Sequence, residues 1–171
     1  MVFVPKLKRL IGLNSKSVIQ TANNQDYSAL SEIHAASFSR GWSDGEFEAL
    51  LAQDTYFCLV ARKPGNIEKP PAGFVMVKEI LDEAEIISIA TKPYARRKGV
   101  AKQLMAAVIR KLQADRVSQL FLEVDTNNKP AIRLYKNLGF VEVSSRESYY
   151  SASLDDPNKP STALVMQLQL G

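Results

Sequence analysis

Apolar positions change their period along this chain, and each change marks an element. From Glu85 to Ala90 the run EIISIA is nearly all apolar and rich in β-branched residues, which predicts a buried strand. Pro93 has no N–H to give to a ladder and ends it. The period then becomes helical. Val100, Leu104, Val108 and Leu112 recur four apart, with Ala101, Met105 and Ile109 beside them, so a long amphipathic helix is predicted.

The remaining elements follow in order. Val18–Thr21 reads as a short first strand, and Tyr27–Phe38 as a helix with Asp26 as its N-cap. Ser43 and Glu46 have the spacing of a capping box and open a second helix over Asp44–Ala52. Tyr56–Arg62 and Phe74–Ile80 are strands separated by the proline-containing loop Lys63–Pro71, and Leu81-Asp82-Glu83 leads into the strand at Glu85. Leu120–Val124 is a further strand. Asn127 or Asn128 then caps a short helix with Pro130 in its first turn and Gly139 as its stop. A strand beginning at Phe140–Val143 extends through Tyr149 and Tyr150; a polar loop follows, and Ala163–Leu170 closes the chain as a strand. No repeat or second domain is evident. The expected fold is α/β (α+β), a single domain over residues 17–171 with a mixed sheet and helices on both faces.

Length and composition fit that reading: 171 residues, 46% apolar and 23% charged, suit one self-supporting core. Cys58 stands alone, which excludes an internal disulfide, and with the single His34 it cannot form a structural zinc site, so no metal is expected. His34, in the first helix, is expected to pack rather than to react. No apolar run approaches the roughly 20 residues of a membrane span. The apolar stretch Leu10–Leu13 is too short for a signal peptide, so a cytoplasmic protein with no membrane partner is expected. The net charge of +4 is accounted for by Lys6, Lys8, Arg9 and Lys16, which precede the first acid, Asp26. Residues 1–16 are therefore expected to be a basic N-terminal extension. A second basic concentration runs from Lys92 to Arg116, where Asp115 is the one acid. A compact patch of this kind suits a phosphorylated cofactor better than a long polyanion, and no direct nucleic-acid binding is expected.

That patch has a centre. Between the predicted strand and long helix sits Arg96-Arg97-Lys98-Gly99-Val100-Ala101. A loop entering a helix offers unpaired N–H groups and the positive end of the helix dipole, and Gly99 lets an anion come close to the backbone. P-loop and dinucleotide fingerprints are absent. The order R-x-x-G-x-A resembles the pyrophosphate loop of the GCN5-related N-acetyltransferases (GNAT), which holds the diphosphate of acetyl-coenzyme A. Two further pieces extend the resemblance. Glu123 lies within the apolar strand FLEV, where a charge needs a partner or a task. Asn127 to Phe140 is similar to the family signature N-x-x-A-x-x-L-Y-x-x-x-G-F. HAASF, GWS, DEAEIISIAT and the tyrosine pair followed by ALVM are most similar to RimI-type members, over roughly Ile33–Leu170.

The resemblance implies a GNAT-type, mainly antiparallel sheet and acetyl transfer from acetyl-coenzyme A to the N-terminal α-amine of a protein, RimI-type enzymes acting on the N-terminal alanine of a ribosomal protein. It implies that Glu123 is the general base and Tyr135 the general acid. It also implies that Asn128, or Asn127 beside it, and the loop Arg96–Ala101 bind the cofactor, with backbone at Ile89, Ala90 and Thr91 holding its pantetheine arm. Trp42, Tyr149 and Tyr150 are candidate walls of a peptide groove, although packing alone would also explain them. Gly41 departs from the proline usual before Trp42, and Thr162 from a common aspartate; the basic extension has no counterpart. Acetylation of a small amine or a lysine side chain, or a non-catalytic coenzyme A-binding module, are the competing readings. The last would predict loss of the base or the acid, and both are present.

Overall fold

The computed structural model describes residues 16–66, 68–150 and 161–171, the side chains at 147–150 and 161 excepted. The expected basic extension thus falls almost wholly outside the described residues. Seven strands form one sheet: β1 (Val18–Thr21), β2 (Tyr56–Arg62), β3 (Gly73–Ile80), β4 (Glu83–Thr91), β5 (Gln119–Asp125), β6 (Val141–Tyr150) and β7 (Ser161–Gln169). Their spatial order is β1-β2-β3-β4-β5-β7-β6. Every adjacent pair is antiparallel except β4–β5. The helices are α1 (Tyr27–Ala35), α2 (Asp44–Leu51), α3 (Val100–Ala114) and α4 (Lys129–Asn137).

Alternation along the strands sorts the apolar residues into two cores. Leu59, Ala61, Val75 and Val77 face α3, whose Leu104, Met105, Val108 and Leu112 are fully buried, as the helical period predicts. Cys58, Val60, Phe74 and Met76 face the other way, against Leu30 and Ile33 of α1 and Phe47 of α2. Burial raises the Cys58 thiol well above its ordinary range, so it packs as an inert apolar group.

The sequence reading needs correcting at the first helix. Asp26 was expected to cap it, but its side chain makes no capping bond there. A 3-10 turn, Asn24–Asp26, precedes α1, and Asn23 caps that turn while the Asp26 carboxylate accepts the Asn23 N–H at 3.0 Å. The other Asp26 oxygen forms a buried ion pair with Arg62, which also donates to Gln20 and to the Lys69 carbonyl. A distant cation has outbid the local helix terminus for this carboxylate. The helix also ends at Ala35 rather than Phe38. Gly41 packs beside that end: a Cβ there would come within 2.9 Å of the Ala35 Cβ, so close approach accounts for glycine before Trp42. Helix α2 starts with the predicted reciprocal bonds between Ser43 and Glu46.

Candidate active site

The loop expected to cradle an anion leads directly into α3. Helix α3 begins at Val100 with Gly99 as its N-cap and no side chain capping it, so its first N–H groups point outward without intrahelical partners. Gly99 has φ +79° and Arg97 φ +59°. Two left-handed residues flanking Lys98 curve the backbone into a concave nest of N–H groups, suited to an anion. A Cβ on Gly99 would meet only the Gln103 amide, at 3.8 Å, so space over the nest is open. Arg96 and Arg97 stand at its rim.

This loop opens into a cavity of about 970 Å³ whose walls explain the sequence pattern. One wall is the second half of β4. The β3–β4 ladder pairs Met76 with Ser88 but Val77 with Ile86, leaving Ile87 as an extra residue in a β-bulge. The bulge resets the alternation: Ile86 faces the α3 core, and Ile89, three residues on, faces it again. The parallel ladder with β5 stops at the same level, its last pair being Ile86 with Leu122. Beyond it β4 keeps β3 on one edge and is unpaired by β5 on the other. The backbone of Ile89, Ala90 and Thr91 is thereby free to meet a ligand along one edge, and all three residues line the cavity.

The opposite wall is α4. Asn128 caps this helix, its side-chain oxygen accepting the Ala131 N–H at 3.2 Å. That leaves the amide NH2 as the group able to donate to a ligand. Tyr135 is buried beside Phe140, with ring centroids 5.8 Å apart, and reaches the cavity wall. Burial pushes its hydroxyl up to about 12, so it stays protonated through the neutral range and is available as a donor.

Among the expected cofactor residues, Ile89, Ala90, Thr91, Arg96, Arg97, Gly99, Val100, Ala101 and Asn128 meet in this cavity with Tyr135; Lys98 is outside its lining. Reading the sequence missed nine other lining residues. Arg133 and Lys102 add cations, and Ser37 and Phe38 close the far end just beyond α1. Arg133 could have been found, because Pro130, Arg133, Leu134 and Asn137 fall on one helical face.

Glu123 is not in that cavity. Leu122 and Val124 point into the α3 core, so Glu123 projects from the opposite face of β5. There it lines a groove of about 390 Å³ on the open face of the sheet, with Lys78, Glu83, Glu85 and Arg146. Arg146 Nη1 lies 3.0 Å from Glu123 Oε1, and the Glu123 side chain is 19% exposed. The base and acid candidates therefore sit on two sides of the parting between β4 and β5.

Trp42 lines neither opening. Its ring stacks on His34 with centroids 4.5 Å apart and meets Phe47 edge-on, while its backbone N–H donates to His34 Nδ1 at 3.1 Å. It anchors the α1–α2 connection. Desolvation lowers His34 to about 4, so the imidazole is neutral, as its acceptor role requires. The backbone of Tyr149 and Tyr150 ends β6, but their side chains lie outside the described residues. Among the described residues no cluster of three or more His, Cys, Asp or Glu is arranged to hold a metal ion, and no helix is long and apolar enough to cross a membrane.

Known proteins share this chain's family and fold. The sequence model of the acetyltransferase (GNAT) family matches residues 27–140. A ribosomal protein bS18-alanine N-acetyltransferase of Haemophilus ducreyi is 34% identical over 155 residues, covering 90% of this chain and 100% of the relative. The crystal structure of the ribosomal-protein-S18-alanine N-acetyltransferase from Escherichia coli shares the fold at TM-score 0.80 with 28% identity, over 91% of this chain and 94% of that one. Arabidopsis thaliana NAA60 in complex with a bisubstrate analogue is alike in fold, with TM-score 0.77 and 20% identity, over 90% of this chain and 97% of its own.

Proposed function

The chain belongs to the acetyltransferase (GNAT) family, and from that premise we propose that it acetylates the N-terminal α-amine of a protein, a ribosomal protein beginning with alanine. The observation that carries this reading is the parting of β4 and β5 after Ile86 and Leu122. On its two sides lie a cationic cavity holding a protonated tyrosine and a groove holding a carboxylate. The similarity to the bS18-alanine acetyltransferases over nearly the whole chain supports the choice of acceptor. Such an acceptor places the enzyme in the cytoplasm.

The cavity fits acetyl-coenzyme A. The nest at Arg97–Gly99 and the start of α3 would hold the diphosphate, Asn128 would donate to the cofactor, and the free edge at Ile89–Thr91 would bind the pantetheine amides and the acetyl oxygen. Acetyl-coenzyme A supplies a thioester carbonyl activated for attack. The chain's own groups manage the protons. An α-ammonium has a pKa of about 8 and is mostly protonated at neutral pH. Glu123 takes the surplus proton as the nitrogen lone pair reaches the carbonyl carbon. As the C–S bond breaks, Tyr135 donates its hydroxyl proton to the departing sulfur, so the leaving group departs as a thiol, and the nitrogen's second surplus proton restores the tyrosine hydroxyl.

The acceptor can be tested with peptides bearing both a free N-terminal alanine and an internal lysine. Incubation with acetyl-coenzyme A and mass spectrometry should place acetyl groups on the α-amine, and a blocked N-terminus should make the peptide inert. The lysine ε-amine, with a pKa near 10.4, is the harder to deprotonate. Acetylation mainly on lysine would overturn the N-terminal reading.

A further inference from the structure

One group near the parting of β4 and β5 has no role in the scheme above. Ser88 is 6% exposed, and among the described residues its Oγ is the one buried side-chain nitrogen or oxygen without a hydrogen-bond partner. Other buried polar side chains are satisfied: Asp26 and Arg62 pair, and His34 accepts from Trp42. An unpaired hydroxyl in a tightly packed strand is unfavourable and marks a place where a further hydrogen-bonding group belongs.

Its position says which group. Ser88 follows the bulge residue Ile87 and pairs with Met76, so its side chain leaves the sheet on the α1–α2 side. Glu123 leaves β5 on that same side, because its neighbours Leu122 and Val124 face α3. The last β4–β5 pair is Ile86 with Leu122, which puts Ser88 and Glu123 just past it, on two strands beginning to part. One hydroxyl and one carboxylate therefore share a sheet face just beyond the last β4–β5 pair, although Ser88 lines neither the groove nor the cavity.

We infer that Ser88 is a positioning residue for proton removal, its hydroxyl holding a water between the acceptor amine and Glu123. This rests on the acetyl-transfer reading and on Glu123 as base. The water accepts a proton from the ammonium and passes one of its own to the carboxylate, while the freed lone pair forms the new C–N bond. A buried water commonly joins about three polar groups, and Ser88, Glu123 and the amine supply that number. The other charged groups facing Glu123 are Lys78 from β3, Glu83 and Glu85 from β4 and Arg146 from β6, while His34 of α1, on the same side of the sheet, is neutral.

The test compares Ser88→Ala, Ser88→Thr and Glu123→Gln with the unaltered enzyme, using an alanine-first peptide. Ser88→Ala should lower kcat on the order of ten- to a hundredfold at neutral pH, with acetyl-coenzyme A affinity unchanged and the melting temperature equal or higher. The loss should shrink at high pH, where the amine is already deprotonated. Ser88→Thr keeps a hydroxyl and should recover most of the rate. Adding Ser88→Ala to Glu123→Gln should cost nothing further. Wild-type kcat in Ser88→Ala beside an impaired Glu123→Gln would overturn the role of Ser88 alone. A fully active Glu123→Gln would remove the base, and this proposal with it. Unfolding or clear destabilisation of Ser88→Ala would show that the hydroxyl has a structural partner and would equally overturn the inference.

Discussion

The larger cavity and the groove lie on the two sides of the parting of β4 and β5, yet they are made from different materials. The cavity is built mainly from backbone: a nest at Arg97–Gly99, an uncapped helix start and a strand edge released by β5. Its side chains add positive charge around that frame. The groove is built from side chains brought together by register. Glu123 on β5, paired with Val165, and Arg146 on β6, paired with Ala163, meet across β7, with Lys78 and Glu85 beyond. A backbone site depends on a few consecutive residues, whereas this register site depends on five strands lining up. The first should be sensitive to backbone changes and tolerant of single charge changes; the second should behave the opposite way.

The largest expected effect is on the groove side. Glu123→Gln should lower kcat by roughly 10²–10³, within the usual range for a general base, with acetyl-coenzyme A affinity unchanged. Steady-state kinetics across pH should show the loss narrowing as the amine deprotonates unaided. On the cavity side, Gly99→Val should weaken acetyl-coenzyme A binding by about a hundredfold or more, because a β-branched residue strains φ +79° and its side chain fills the nest. Calorimetric titration giving unaltered affinity in the folded variant would remove the nest from the site. Tyr135→Phe tests the link between the two openings. It should reduce kcat on the order of tenfold to a hundredfold with no rescue at high pH, since the missing proton belongs to the leaving sulfur.

Two smaller effects sharpen the contrast. His34, buried with its pKa lowered to about 4 against an ordinary 6.5, disfavours the charged form in the folded state. The folded state should therefore lose stability as pH falls from about 6.5 toward 4, by at most about 3 kcal/mol from this group, and gain nothing from it above that window. Chemical denaturation of His34→Gln beside the unaltered protein should show a shallower pH slope. Arg96→Ala should weaken acetyl-coenzyme A binding only by about three- to tenfold, and less at high salt, because an exposed cation at the rim is screened.

The same contrast explains what could be read from the sequence. The cradle, the Ser43–Glu46 box and the α4 start at Asn128 and Pro130 are local, and local chemistry decided them. Strand β2 falls on its predicted residues because its boundaries are set by adjacent turns. Misreadings occur where a distant partner intervened. Asp26 looked like an N-cap until Arg62, 36 residues away, claimed it. Glu123 showed as a charge in an apolar strand, but its partner Arg146 depends on a register shift in β6 between Glu142 and Ser144. The bulge at Ile87 has no glycine or proline to announce it, so the reset that points Ser88 and Ile89 to their faces is visible only in the ladder.

The strand order carries one more consequence, for how the protein is made. β7 lies between β5 and β6, although it follows both in the sequence. As the chain emerges during synthesis, the strand bearing Glu123 and the strand bearing Arg146 are finished before anything joins them. Each then presents an unpaired edge, the kind of surface that recruits other strands. Insertion of β7 closes both edges in one step and brings the two charges into register, so the groove cannot exist before the rest of the sheet. Slow folding or nascent-chain association should therefore trace to β5 and β6 rather than to the α3 cradle, whose parts are neighbours in sequence.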